Sequence, residues 1–343
     1  MQKNNPVPGD VVFEILLRLP AKSIGRFVCV SKLWERIIRG EDFVRWFSLR
    51  SSPKKQPRFL FAVNGRTKTC QEYFHFFSKQ TLVEEKKPLP LAEFLSSTVS
   101  HSKELRYQEP CYVHGLINFL YGQEQVVRYD PVNAQYKVLC LFTNVTRFRG
   151  HQVITLGGAQ NWRTIQCPTP HLPLGPNSVC IDGVLYYTAS GSFANMEQQL
   201  LVGFDLRSET LEIASILPKR GMGFNKLLNY HGKVALVTRA WGERYTFILW
   251  VLKDAKRQDW SKQRLSFSLN SIERKHHSCL KMLGVSEMGE FVYASIQFKE
   301  LYVYFVDHKS NRVRSVELLG NTKHIIGNFD TSFLHHVETL MFI

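Results

Sequence analysis

Ser178-Val179-Cys180-Ile181-Asp182-Gly183-Val184-Leu185-Tyr186-Tyr187 reads as strand, glycine turn and strand, and it decides how the rest of the chain is parsed. It leads to Leu201-Val202-Gly203-Phe204-Asp205-Leu206 and then to Leu211-Glu212-Ile213. The same order returns in Tyr230–Leu236, followed by Ile248–Leu252 and Trp260, and again in Val285–Tyr293, followed by Leu301–Asp307. Each unit is a glycine turn, an apolar strand, a second apolar strand beside an aspartate, and a third strand. Upstream, Val113–Leu120, Val127–Pro131 and Tyr136–Leu139 make a looser copy. Phe59–Val63, ending in the hairpin signal Asn64-Gly65, and Tyr73–Phe77 open the region.

The marker aspartates Asp205, Asp254 and Asp307 lie 49 and 53 residues apart, near the ~50-residue kelch-like period. The 75 residues from Asp130 to Asp205 leave room for a partial unit through Val153–Gly157 and Trp162–Ile165. One four-stranded sheet per unit, set radially, makes a large all-β domain, a β-propeller of about six blades that hides most strand edges. An irregular β-sandwich is the alternative.

The first ~50 residues have a different texture, that of a small helical unit. Val12, Ile15, Leu16 and Leu19 fall on one helical stripe, and Pro20 stops it. Pro8 suits the first turn and Asp10 the positive helix end. A second short helix is expected from Ala21 to about Val28, weakened by Gly25. Ser31 reads as the N-cap of a third, whose apolar face is Leu33, Trp34, Ile37 and Ile38. Phe43, Trp46 and Phe47 add an apolar turn. A unit this small has little core of its own, so it packs either on the β-domain or on the helices of a partner.

Composition narrows the function classes. The 343 residues carry 44 Lys+Arg and 29 Asp+Glu, a formal charge of +15, with 13% aromatics; this is a core-building composition and not a disordered one. Met1–Pro6 lacks the apolar run of a secretory signal. No stretch approaches the ~20 apolar residues of a membrane-spanning helix. Seven scattered cysteines without a Cys-x-x-Cys pair fit reduced thiols in cytoplasm or nucleus. Asn144-Val145-Thr146 is then a chance match to a glycosylation acceptor.

The head carries a resemblance. Pro8-x-Asp10, Glu14-Ile15-Leu16-x-Arg18-Leu19-Pro20, Lys22-Ser23, Arg26-Phe27 and Cys29-Val30-Ser31-Lys32-x-Trp34 resemble the F-box, which docks substrate receptors onto Skp-type adaptors. The resemblance implies that Val7, Pro8, Val12, Ile15, Leu16, Leu19 and Pro20 contact the adaptor or shape its seat. Ile24, Phe27, Val30, Trp34 and Ile37 then serve the module's core and inner face. Gly25, where a larger residue is usual, costs about 1 kcal/mol of helix stability, and Val28 replaces a common basic residue. The implied organisation is an F-box at 1–50, a basic linker at 51–58 and a β-domain at 59–343.

That β-domain resembles the F-box-associated domain of land plants, type 3, in Trp162-Arg163-Thr164-Ile165, Cys180–Tyr187 and Phe204-Asp205-Leu206-Arg207-Ser208-Glu209. The two resemblances together imply a non-catalytic substrate-recognition subunit of an SCF-type E3 ubiquitin ligase. Its partners are then a Skp-type adaptor, through it a cullin-based ligase, and a target protein that the sequence does not name. An F-box protein acting outside ubiquitination is the alternative.

His-Glu-x-x-His and phosphate-loop patterns are missing from the sequence. His276-His277 and His335-His336 are adjacent pairs that point to opposite faces of a strand, and Gly157-Gly158 lacks the companions of a nucleotide loop. Glu84-Glu85 abuts Lys86-Lys87 and reads as a solvated loop. No cofactor, metal or membrane partner is expected. Direct nucleic-acid binding is disfavoured, because Lys54-Lys55, Arg58, Arg66-Thr67-Lys68, Arg147, Arg149, Lys256-Arg257 and Arg274-Lys275 lack interleaved stacking aromatics. Residues 1–58 hold 12 Lys+Arg against 5 Asp+Glu. Since Skp-type adaptors are acidic as a family, this charge suits steering towards that partner.

Overall fold

The computed structural model describes residues 7–50, 59–66, 72–79, 89–90, 92–99, 111–113, 116–118, 124–130, 135–141, 151–156, 161–167, 169–191, 198–218, 225–240, 246–266, 280–286, 288–295, 302–319 and 327–334. The expected linker at 51–58, the two histidine pairs, Gly157-Gly158, Glu84–Lys87, Asn144-Val145-Thr146 and the basic residues Lys54, Lys55, Arg58, Lys68, Arg147, Arg149, Arg274 and Lys275 lie outside them. Among the described residues no helix is long and apolar enough to cross a membrane.

The head holds four helices: α1 (Gly9–Leu17), α2 (Ala21–Phe27), α3 (Lys32–Ile38) and α4 (Glu41–Arg50). Three were expected. The apolar turn around Phe43 is instead a full helix, because Phe43 and Phe47, one turn apart, both bury into the head's core. Glu41 and Asp42 in its first turn complement the positive helix end.

The strands then follow. β1 (Phe59–Arg66), β2 (Glu72–Lys79), β3 (Leu89–Pro90) and β4 (Ala92–Val99) precede the short β5 (Cys111–Val113) and β6 (Leu116–Asn118). Next come β7 (Glu124–Asp130), β8 (Gln135–Leu141), β9 (His151–Thr155) and β10 (Arg163–Ile165), then β11 (Leu172–Ile181), β12 (Val184–Ser190), β13 (Gln199–Asp205) and β14 (Thr210–Ile216). β15 (Asn225–Tyr230), β16 (Lys233–Arg239), β17 (Thr246–Asp254) and β18 (Asp259–Ser266) precede β19 (Leu280–Val285), β20 (Phe291–Ser295), β21 (Tyr302–Asp307), β22 (Arg312–Leu319) and β23 (Gly327–Leu334).

Four antiparallel sheets run in plain sequence order, β7 to β10, β11 to β14, β15 to β18 and β19 to β22, the last extended by β3 in parallel. A fifth has the order β23-β1-β2-β4, and β5 pairs with β6 alone. The leading strands stand side by side: β7 beside β11, β11 beside β15, β15 beside β19, and β19 beside β23. Small sheets arranged this way form a β-propeller, not two facing sheets.

Two local expectations change. Asn64 and Gly65 are not the hairpin turn; they pair with Phe74 and Tyr73 inside the β1–β2 ladder. The segments Val153–Gly157 and Trp162–Ile165 are not part of an extra unit, since β9 and β10 complete the sheet that β7 begins. Asp130 therefore ends a first strand, whereas Asp205, Asp254 and Asp307 end third strands, which accounts for the long interval between Asp130 and Asp205.

Each core lies between two sheets. Leu139, Val153 and Ile165 pack with Leu185, Tyr187 and Phe204. Ile181, Leu201 and Ala214 pack with Leu227, Val234 and Leu236. Ala235, Val237 and Leu249 pack with Met282, Phe291 and Tyr293. Alternate residues of one strand thus serve different cores: Val234 and Leu236 face one side of β16, Ala235 and Val237 the other.

The turns follow from residue type. Asp182-Gly183 and His231-Gly232 link first to second strands with positive φ at both positions, 49° and 79°, then 51° and 77°, as a two-residue type I′ hairpin requires. The marker aspartates bind the turns after their strands. Asp205 Oδ1 accepts from the backbone N–H groups of Arg207 at 2.8 Å and Ser208 at 2.9 Å. Asp254 Oδ1 accepts from Arg257 N–H at 3.1 Å, and Asp307 Oδ1 from Lys309 N–H at 2.9 Å. The aspartate supplies the acceptor that folds its own turn.

Each of these turns ends in a left-handed non-glycine residue, Glu209, Gln258 or Asn311. Two of them reach back to the preceding sheet. Glu209 accepts from Arg163 of β10 at 2.6 and 3.0 Å, and from the buried Lys137 of β8 at 2.9 Å. Gln258 Oε1 accepts from Ser215 Oγ at 2.9 Å and from Ile216 N–H, both on β14. Burial alone would raise the Glu209 carboxyl, but hydrogen bonds from Arg163 and Lys137 hold it below the usual carboxylate range.

Removing Glu209 leaves the Lys137 ammonium buried with the Leu206 carbonyl as its remaining acceptor in this latch. Glu209→Ala is expected to cost about 3 kcal/mol in urea unfolding at neutral pH, and Lys137→Met in that background to restore part of it. The carboxylate's contribution is complete above the ordinary carboxylate range and is lost as pH falls through the lowered value. The stability gap between the wild type and Glu209→Gln therefore closes in acid.

Candidate functional site

Within the head, Val12, Leu16 and Ile24 are buried with Ile38, Phe43 and Phe47. Leu19, Phe27, Trp34 and Ile37 pack half-buried against them. Phe13 meets Phe43 edge-on at 5.1 Å between ring centroids, and Phe27 meets Trp34 at 5.2 Å, a favoured arrangement of aromatic pairs. Ser31 Oγ accepts from Trp34 N–H at 3.2 Å and caps α3 as expected. Seven of the twelve residues singled out from sequence therefore build the module itself.

The other five, Val7, Pro8, Ile15, Pro20 and Val30, are exposed. Three residues that the resemblance did not mark join them: Val11 at 43%, Leu33 at 48% and Trp46 at 58% exposure, beside Ile15 at 50%. Val11 and Ile15 lie one turn apart on α1, so they form a continuous apolar line on its outer side. The sequence stripe misassigned Ile15 to the same face as Leu16. A four-residue spacing from Val7 through Val11 to Ile15 was the available signal for an outward-facing line. The head therefore fills its own core and still exposes several large apolar side chains.

A second constellation sits between two sheets of the β-domain. His151 opens β9 and pairs in register with Ile165 of β10, so Cys167, two residues on, comes beside it. His171 immediately precedes β11. One ligand atom from each of His151, Cys167 and His171 lies within 4.8 Å of the others. Cys167 Sγ is 3.4 Å from His171 Nδ1, and the His171 Nε2 atom is 2.6 Å from the Tyr187 hydroxyl on β12. Burial, reinforced by the neighbouring His171, lowers His151 to about 4, and burial lowers His171 as well. Burial pushes the Cys167 thiol up, partly offset by a backbone hydrogen bond at Thr169. A thiol so held is not an activated nucleophile. Sequence reading missed this group; the Cys-x3-His spacing was its local signal, and His151 joins only through the fold.

The chain is thus a small helical unit followed by a β-propeller. The F-box domain family matches residues 7–46, and the F-box associated beta propeller domain matches residues 124–338. Three proteins of Arabidopsis thaliana are similar over most of their length. F-box protein At1g47810 is 48% identical, covering 87% of this chain and 98% of the relative. F-box protein At4g11590 is 36% identical over 93% and 88%, and F-box protein At5g65850 is 31% identical over 99% and 91%. The chain belongs to this family of plant F-box proteins.

Ser31→Ala removes the one side-chain cap on α3. It is expected to cost about 1 kcal/mol, seen as hydrogen exchange about fivefold faster at the amides of Lys32–Ile38.

Proposed function

We propose that the chain is the non-catalytic target-recruiting subunit of an SCF-type E3 ubiquitin ligase. In this reading the head docks a Skp-type adaptor and through it a cullin-based ligase, while the propeller holds a target protein. The observation that carries it is the head's division of labour. Val12, Leu16, Ile24, Ile38, Phe43 and Phe47 complete its own core, yet Val11, Ile15, Leu33 and Trp46 stay exposed. An apolar line on a helix is the form that a groove-binding helix presents. Family membership supports the same role.

Domain limits of 1–50 for the docking module and 59–343 for the recognition domain, joined by a basic linker, fit this reading, as does action in cytoplasm or nucleus. Catalysis then comes from proximity: tethering raises the effective concentration of target lysines near the conjugating enzyme. Loops on a rigid propeller scaffold are suited to selecting that target.

The test uses exposed positions, so that a folding failure does not mimic lost docking. Val11→Asp with Ile15→Asp is expected to weaken capture of a purified Skp-type adaptor at least tenfold, about 1.4 kcal/mol. Trp162→Ala, an exposed change on the β-domain, leaves capture unaltered. If the wild type fails to bind the adaptor, or the double variant binds it equally well, the docking reading is wrong.

A further inference from the structure

We propose that His151, Cys167 and His171 bind a zinc ion that fastens the β7–β10 sheet to the β11–β14 sheet. Imidazole nitrogen and thiolate sulfur are ligand types that zinc takes in tetrahedral sites, where three protein ligands can leave the fourth position to water. Ligand atoms sharing one zinc sit about 3.5 Å apart, from Zn–S near 2.3 Å and Zn–N near 2.0–2.1 Å. Cys167 Sγ and His171 Nδ1 already stand at 3.4 Å. The rings of His151 and His171 are 4.9 Å apart between centroids and tilted by 50°, so a modest side-chain rotation brings the third atom, now within 4.8 Å, to ligand distance. His151 and His171 are buried while Cys167 is half-exposed, which leaves an entry path on the sulfur side.

The surroundings suit a bound metal. As the ligand-free chain stands, His171 Nδ1 is 2.9 Å from the Thr169 carbonyl, and the thiol of Cys167 donates to that same oxygen. On binding, zinc displaces the Cys167 proton to solvent, and the resulting thiolate neutralises one of the ion's charges. His171 changes tautomer: Nδ1 turns its lone pair to the metal, and Nε2–H donates to the Tyr187 hydroxyl, 2.6 Å away. A ligand histidine whose other ring nitrogen is fixed by a hydrogen bond is a recurrent feature of built metal sites. A half-exposed thiolate and a peptide oxygen or water complete the site. Its placement, with ligands on β9, after β10 and before β11, assigns it to holding two sheets together and not to catalysis.

The test takes the full chain, purified without chelator. It is expected to retain about one zinc per chain through dialysis, measured by inductively coupled plasma mass spectrometry. Cys167→Ser and His171→Ala lose the metal, while Cys180→Ser keeps it. Cobalt titrated into the metal-stripped wild type develops a thiolate-to-cobalt charge-transfer band together with intense visible bands of tetrahedral coordination, and this readout needs no variant to fold. Chelator lowers the melting temperature of the zinc-loaded wild type and leaves that of Cys167→Ser unchanged. A wild type that holds no zinc and shows no charge-transfer band overturns the proposal; so does a Cys167→Ser variant with undiminished metal and band. Neither result bears on adaptor capture, so this inference and the docking reading fail separately.

Discussion

Strands buried on both faces impose the constraint on which the β-domain depends. β13 and β16 send alternate residues into different cores, so no sheet can satisfy its apolar surface alone. A row of such sheets leaves two unpaired faces unless it closes. Closure comes from β23, which pairs along β1 from Phe59↔Leu334 to Gly65↔Gly327 with a bulge between Ala62 and Val63, and which lies beside β19. One sheet is therefore built from strands more than two hundred residues apart in sequence. The conformational cost of that long-range pairing is set against the cores that successive sheets share.

The repeat was legible because its turns carry their own chemistry. An Asp-Gly or His-Gly pair supplies two positive-φ positions, and an aspartate two or three residues before an N–H folds the next turn; both leave marks in a single unit. Strand membership was harder to read. Asp130 resembles the other markers but ends a first strand, because nothing local distinguishes an aspartate after strand one from an aspartate after strand three. Asn64-Gly65 has turn chemistry and yet sits in a ladder, where pairing with β2 outweighs local preference.

The head shows the same boundary. Its helices and the Ser31 cap follow from spacing and residue type, but the division of its apolar residues between core and surface does not. Leu16 and Ile15 are adjacent in sequence and equally apolar; only the packing of α1 against α3 and α4 sends one inward and the other out. The histidine–cysteine group was hidden for a related reason. Two of its members are four residues apart, but the third arrives through the β9–β10 register, which no local pattern encodes.

The β1–β23 ladder also sets how the domain responds to load. The strands are antiparallel, so Phe59, the first residue of β1, sits directly across from Leu334, the last of β23. Tension applied between the residues preceding β1 and those following β23 therefore meets the ladder at one end. It opens hydrogen-bonded pairs one after another instead of shearing all of them at once. In mechanical terms the ladder is a zip with its pull tab at Phe59↔Leu334.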